Sequence, residues 1–314
     1  MSDHSTKHVV TSLFVNLAIT VAKGVAAFFT GSGAMLAETI HSAADCGNQG
    51  LLLVGIRRAR RAPDDRHPFG YGRAVYFWSF VVALLLFTGG GVFSIYEGLH
   101  KLHASEMPEN LTLAFAILGF SLFLEGGSTV SNVRELNKRR GETPFFRYLR
   151  NTTDSDLVVV FGENAAASVG LVIAMGSLAA SHVFHNPVYD AIGTLAIGAV
   201  LVAVALFLAV EIVSLLEGEA ADPKIRTSAI ELAKEQPLFR GLLQVMTVQQ
   251  GPGEVMIAAK VELDPDAKVD EICVAINLFE RAVRTRHPEV KWLFVEPDLR
   301  EFAARSNAVR GGAV

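Results

Sequence analysis

Two residues one helical turn apart, His41 and Asp45, sit within a stretch of chain that is otherwise apolar. If that stretch is helical, residues 38, 41, 45 and 48 fall along one face, so Glu38, His41, Asp45 and Asn48 line up, with Gln49 beside them. An imidazole nitrogen and a carboxylate oxygen at this spacing can reach one ion. That pair suits Zn²⁺ and related divalent transition metals better than Ca²⁺ or Mg²⁺. The alternative is a hydrogen-bonded polar stripe that holds helices together. Two ligands do not fill a tetrahedral site, so a metal would need further groups from other elements. Glu163 and Asn164 are the next candidates, although adjacent residues on a helix point about 100° apart. Asn16, Lys23, Glu97 and Asp190 are further polar groups within or beside apolar stretches. Asp190 could equally cap its own helix, and Lys23 and Glu97 could snorkel or pair. Cys46 lies off the His41 face and reads as packing.

The elements that carry these residues are long and apolar. Hydrophobic residues make up 51% of the 314-residue chain and charged residues 19%, with mean hydropathy +0.36. Crossing the hydrocarbon core takes about 20 mostly apolar residues. Six segments qualify, at residues 9–29, 34–56, 75–99, 111–133, 157–180 and 188–216, within a transmembrane domain over 1–216. An ionisable group at the centre of such a span costs about 2.5–3.5 kcal/mol, so each one calls for a reason. The loop after the second span carries Arg57, Arg58, Arg60, Arg61, Arg66 and Arg73. The loop after the fourth carries Arg134, Lys138, Arg139, Arg140, Arg147 and Arg150, whereas the alternate loops offer only Lys101. This asymmetry predicts an integral, multi-pass protein of the lipid bilayer with both termini cytoplasmic. Net charge is −4 and gives no sign of a nucleic-acid partner. Cys46 and Cys273 form no disulfide framework or CxxC pair. The start, Met1-Ser-Asp-His, lacks a signal-peptide pattern, so the first span is expected to stay in the mature protein.

The last third reads as soluble. Residues 222–236 and 269–286 have helical patterning, closed by Pro237 and Pro288. Residues 242–249, 255–263 and 290–295 read as strands, with a turn at Gly251-Pro252-Gly253. Val255, Ile257, Ala259, Val261 and Leu263 alternate with polar residues such as Lys260 and Glu262. The expected fold class is therefore an all-α six-helix transmembrane bundle followed by a small cytoplasmic α+β domain of order αββαβ at 217–300, with a disordered tail at 301–314.

Gly31-Ser-Gly-Ala-Met-Leu-Ala-Glu-Thr-Ile-His-Ser-Ala-Ala-Asp45 resembles the second-span motif of the cation diffusion facilitator family, and His67-Pro-Phe-Gly-Tyr-Gly-Arg73 resembles its His-Pro-aromatic-Gly motif. The likeness runs nearly end to end. Glu38-Thr-Ile-His41, Cys46-Gly-Asn-Gln-Gly50 and Glu163-Asn-Ala-Ala166 are most similar to the branch containing zinc transporter nine. The resemblance implies a secondary active transporter rather than an enzyme: a homodimer with a ferredoxin-like C-terminal domain that exports a divalent cation by alternating access. Protons are the implied counter-ion and no organic cofactor is implied. Zinc is the first candidate, with iron, cobalt and manganese as others, and a bacterial plasma (inner) membrane is the expected host.

By the same resemblance His41 and Asp45 bind the transported ion. Relatives place His or Asp, then Asp, at i, i+4 in the fifth span, where this chain has Val160 and Asn164. The implied site reduces to His41, Asp45 and Asn164, with Glu163 as a further metal ligand and Glu38, Asn16 and Asp190 as proton-carrying or supporting polar groups. Glu296-Pro297-Asp298 stands where some relatives have His-x-Asp. His287 and Cys273 are the other possible ligands in that region, which is expected to dimerise with little or no metal. The missing span-five ligands motivate one rival, a metal-sensing or regulatory subunit that does not transport and dimerises with an active relative. A second rival, a membrane enzyme using the metal as Lewis acid, would need three strong ligands, an open position and a general base. Glu163 could be that base, but no second catalytic cluster accompanies it.

Overall fold

The structure is a computed structural model. It describes the backbone of residues 3–103, 107–108, 110–151 and 155–300, and the side chains of residues 16–300 except 52, 104–106, 109 and 150–160. The tail expected at 301–314 lies outside the described residues, as does the side chain of Val160. The chain divides into two compact units, residues 1–58 with 74–213, and residues 59–73 with 214–314. The segment 59–73, which the sequence places between two spans, thus packs with the second unit.

The first unit is helical: α1 (Asp3–Thr30), α2 (Gly33–Ala59), α3 (Ala74–Leu85), α4 (Phe93–Lys101), α5 (Leu111–Arg140), α6 (Phe145–Asn151), α7 (Ser155–Val183) and α8 (Val188–Glu217). A π-helical turn, Leu86–Val92, joins α3 to α4 without a break. Gly31 ends α1 in the left-handed region at φ 63°, its N–H donating to Ala27 O, so the chain reverses into α2 after a few residues. Among the described residues four stretches are long and apolar enough to cross a bilayer: Ala74–Lys101, Leu111–Arg140, Phe161–Val183 and Val188–Glu217. The described part of α1 is a shorter apolar helix, Asn16–Thr30, and α2 carries Glu38, His41 and Asp45 in its middle. Large apolar side chains such as Phe28, Phe120, Phe123 and Val210 point outward, as a lipid-facing surface requires. The Gly89–Gly91 run lies inside the π turn. A Cβ on Gly91 would come within 3.1 Å of the Val202 backbone nitrogen, and one on Gly198 within 2.9 Å of Ile95 N, so these glycines let the α3–α4 helix touch α8. The short helix α6 was not expected from the sequence.

In the second unit α9 (Pro223–Lys234), β1 (Phe239–Gly251), β2 (Glu254–Leu263), α10 (Val269–Arg286) and β3 (Val290–Pro297) follow the expected αββαβ order. Asp222 caps α9 by accepting from Lys224 N at 2.8 Å, and Pro223 fills the first helical position. The sheet order is β1-β2-β3, with β1–β2 antiparallel and β2–β3 parallel. Gly253, at φ 70°, makes the hairpin turn. Val255, Ile257 and Val261 on the inward face of β2 bury with Ile225, Ala229 and Leu232 of α9 and Phe279 and Val283 of α10 in one core, and Ala259 on the same strand is buried too. The strands run longer than their periodicity showed because bulges in β1 break its alternation at Phe239/Gly241, Leu242/Gln244 and Gln249/Gly251.

The loop 59–73 has its own internal structure. Asp64 accepts from Tyr71 Oη at 2.6 Å and from the backbone N–H groups of His67 and Arg66 at 2.8 and 3.0 Å. These donors, Tyr71 foremost, hold the Asp64 carboxyl below the usual carboxylate range. Phe69 meets Trp292 and Phe294 edge-on at 5.7 and 6.4 Å, and Arg73 Nε donates to Gln250 Oε1 at 3.0 Å. The His67-Pro-Phe-Gly-Tyr-Gly-Arg73 motif is therefore a packing element of the sheet unit.

Candidate metal site

One face of α2 collects the buried polar groups. Glu38, His41 and Asn48 have no exposed surface. Asp45 stands one turn beyond His41, with His41 Nδ1 3.6 Å from Asp45 Oδ1. That separation is too long for a hydrogen bond. Neither ring nitrogen of His41 has a hydrogen-bond partner among the described residues, and neither does Asp45 Oδ1. A buried polar atom left without a partner costs about 1–3 kcal/mol, so a group that bonded to these atoms would be stabilised there. An imidazole lone pair and a carboxylate oxygen aimed at the same space fit a divalent cation.

A second helix reaches this face. Asn48 Nδ2 donates to Glu163 Oε1 of α7 at 2.7 Å, while Asn48 Oδ1 and Gln49 Oε1 are unpaired among the described residues. Asn164 follows on α7. Its backbone carbonyl accepts from Thr129 Oγ1 of α5 at 2.9 Å, and its side chain makes no hydrogen bond to His41. Among the described residues no group of three or more His, Cys, Asp or Glu side chains is arranged to hold a metal. The cluster is a histidine–aspartate pair with an amide and a carboxylate alongside it.

The remaining sequence candidates sit elsewhere. Asp190 does not cap its own helix. Its carboxylate accepts from Ser32 Oγ at 2.6 Å and Gly33 N at 2.8 Å, closing the N-terminus of α2, with Lys101 Nζ 3.8 Å away. Lys101 also donates to the Gly31 carbonyl. Gly33 and His41 are eight residues apart, about 12 Å along the helix axis, so Asp190 holds α2 rather than joining the pair. Asn16 lies on α1, where its carbonyl takes the Thr20 hydroxyl at 2.8 Å. Cys46 touches Thr20 Oγ1 at 3.5 Å. Glu38 pairs with Lys23, and Glu125 of α5 shares that lysine at 2.9 Å. Sequence reasoning passed over Glu125, although a carboxylate inside an apolar span is the signal that singled out Glu38. In the second unit Lys260 Nζ donates to Asp298 Oδ2 at 2.8 Å and Glu296 Oε1 at 3.1 Å, while His287 faces Glu289 at 3.3 Å.

Apolar spans interrupted by one buried histidine–aspartate face define a multi-pass membrane protein built around a polar centre. Residues 9–216 match the family model described as the cation efflux transmembrane domain, and the chain belongs to the cation efflux family. Metal tolerance protein C4 of Arabidopsis thaliana is 31% identical over 263 residues, covering 83% of this chain and 58% of its own length. The human mitochondrial protein named proton-coupled zinc antiporter SLC30A9 is 33% identical over 244 residues, covering 77% of this chain and 43% of its own. Magnetosome protein MamB of Magnetospirillum gryphiswaldense is 25% identical over 290 residues, 90% of each chain. The chain spans about half the length of the first two. Among solved structures, MamM CTD in a nickel form covers 25% of this chain and 99% of its own, at 18% identity and TM-score 0.24.

Proposed function

We propose that this protein is a secondary active transporter exporting a divalent metal cation, zinc first, with His41 and Asp45 gripping the ion. The observation that carries this reading is the pair itself: a fully buried imidazole 3.6 Å from a carboxylate, with neither ring nitrogen nor the facing Asp45 Oδ1 hydrogen-bonded among the described residues. Asn48, on the same face of α2, and Glu163, bonded to it at 2.7 Å, are further candidate ligands, and Asn164 completes the set if α7 turns during transport. Iron, cobalt and manganese are the competing cargoes, a choice that relatives named for zinc and for magnetosomes leave open.

The chemistry gives a route to proton exchange. His41 must be neutral to ligate and Asp45 ionised, so protons and metal compete for the same atoms. Alternating access exposes the pair first to one side and then to the other. The arginine distribution supports six spans, cytoplasmic termini and a cytoplasmic α+β unit. A homodimer in a bacterial inner membrane completes the reading.

Flux into proteoliposomes holding a zinc-sensitive dye tests it. Wild-type protein should move Zn²⁺ down an imposed gradient, faster with an opposing proton gradient, and His41→Ala and Asp45→Ala should each abolish the signal. Folded protein that moves no metal rejects the transporter. The sparse ligand set favours a second reading, a metal-sensing subunit that dimerises with an active relative. It predicts Zn²⁺ binding without flux in the same vesicles.

A further inference from the structure

A second ion cluster lies on α2 immediately before the candidate metal site. Lys23 of α1 has no exposed surface, an unusual state for a lysine inside an apolar helix. Its ammonium has three donors, and the structure gives each an acceptor: Glu38 Oε2 at 3.3 Å and Ser42 Oγ at 2.8 Å on α2, and Glu125 Oε1 at 2.9 Å on α5. Two helices, α2 and α5, thus present three oxygens to one positive charge carried by a third, α1. The other oxygens of the two acids, Glu38 Oε1 and Glu125 Oε2, have no hydrogen-bond partner among the described residues. Gly170 on α7 leaves the room for Glu38, since a methyl group there would overlap Glu38 Oε1.

This is the donor arrangement of a cation site with a tethered ammonium at its centre. We propose that Lys23 is the resident cation of a second, all-oxygen site formed by Glu38, Glu125 and Ser42, and that it keeps divalent ions out of that site. The proposal rests on the reading that the helical unit admits a divalent cation. Without the lysine, Glu38 and Glu125 would add two carboxylates to Asp45 and Glu163 in one low-dielectric interior. An incoming ion would then have a carboxylate-rich alternative to the His41–Asp45 pair. With the lysine, the oxygen site is already filled and cannot release its occupant, so the metal is confined to the imidazole-containing site. Lys23 is in this sense a specificity-determining residue that does not touch the cargo.

Carboxylate and hydroxyl oxygens suit Mn²⁺, whereas the imidazole suits Zn²⁺, so the two sites can be probed separately. Full-length protein in lipid nanodiscs is titrated with Mn²⁺, following the EPR signal of the free ion, and with Zn²⁺ in parallel. Lys23→Met should tighten Mn²⁺ binding by about tenfold or more, because two charged ligands become available. Lys23→Arg, which keeps the charge, should stay at the wild-type affinity, and Lys23→Met/Glu38→Gln/Glu125→Gln should return to it. A well-folded Lys23→Met with wild-type Mn²⁺ affinity overturns the proposal, as does a gain that survives in the triple variant. A purely structural lysine would weaken folding without improving any affinity. Should Lys23→Met not yield monodisperse protein, the triple variant must restore it, since two uncompensated acids are then the cause. A triple variant equally unable to fold overturns the proposal too. Failure of wild-type protein to bind Zn²⁺ counts instead against the proposed function, leaving the Mn²⁺ comparison to decide the role of Lys23.

Discussion

Replacing Asp190 by alanine separates a residue that holds the site's helix from one that belongs to the site. In the folded protein its carboxylate accepts from Ser32 Oγ and Gly33 N in a setting that leaves it 1% exposed. Bonds to a charged acceptor contribute about 1.5–3 kcal/mol each, and a buried donor left unsatisfied costs about 1–3 kcal/mol. Lys101 adds little, because its partly exposed ammonium can turn to water. Asp190→Ala should therefore destabilise by about 3–5 kcal/mol, the cost of an open first turn of α2. At about 2–4 °C per kcal/mol this lowers Tm by roughly 6–20 °C. Asp190→Asn keeps one acceptor oxygen and should lose about half as much. Thermal unfolding in detergent, read by helical circular dichroism, measures both. Zn²⁺ affinity below the transition should be unchanged, since the pair lies about 12 Å further along α2. A shift under about 1 kcal/mol, or loss of Zn²⁺ binding at unchanged stability, would refute the reasoning and return Asp190 to the ion site.

Three other outcomes follow from the same geometry. Asn164→Asp adds a carboxylate next to Glu163 and should strengthen Zn²⁺ binding in a competition titration; unchanged affinity would remove Asn164 from the site. Gly91→Ala puts a methyl within 3.1 Å of the Val202 backbone and 2.6 Å of its side chain, and overpacking there should cost about 1–3 kcal/mol in the same unfolding assay. In the second unit, Lys260 holds the Asp298 carboxyl below its usual range, and Asp298, with Glu296, holds the Lys260 ammonium above its own. The Asp298 contribution to stability is complete above the unfolded value near 3.9 and fades as pH falls through the lower folded one. The Lys260 contribution is complete below about 10.4 and fades as pH rises through the raised value. Denaturant unfolding of Trp78→Phe protein, reported by Trp292, should show both slopes, and Lys260→Met should flatten them.

What could be read from the sequence was whatever repeats locally. The alternation from Val255 to Val261 marks a strand with one buried face, and that face is the core of the second unit. The spacing of Ala275, Phe279 and Val283 gives α10 its inward stripe. His41 and Asp45 were visible because polar groups at i, i+4 stand out against an apolar span. What stayed hidden depends on partners far along the chain. Asp190 caps a helix that begins 157 residues earlier, and Lys23 meets Glu125 across 102 residues. The Asn48–Glu163 bond spans 115 residues, and although each end stood out as a polar group in an apolar span, nothing local paired them. The π turn at Leu86–Val92 has a glycine run as its only sequence trace, which helix packing against α8 also explains. The packing of Phe69 on Trp292 and Phe294 could not be inferred from a loop whose arginines speak only of topology.

The central claim is that an imidazole and a carboxylate on α2 hold the same metal ion. Zn K-edge X-ray absorption of the zinc-loaded, full-length protein tests it most directly. The claim predicts a nitrogen and oxygen shell at about 2.0–2.2 Å that includes one imidazole, with the imidazole signature lost in His41→Ala. A sulfur-containing shell, or an imidazole signature that persists in His41→Ala, would contradict it.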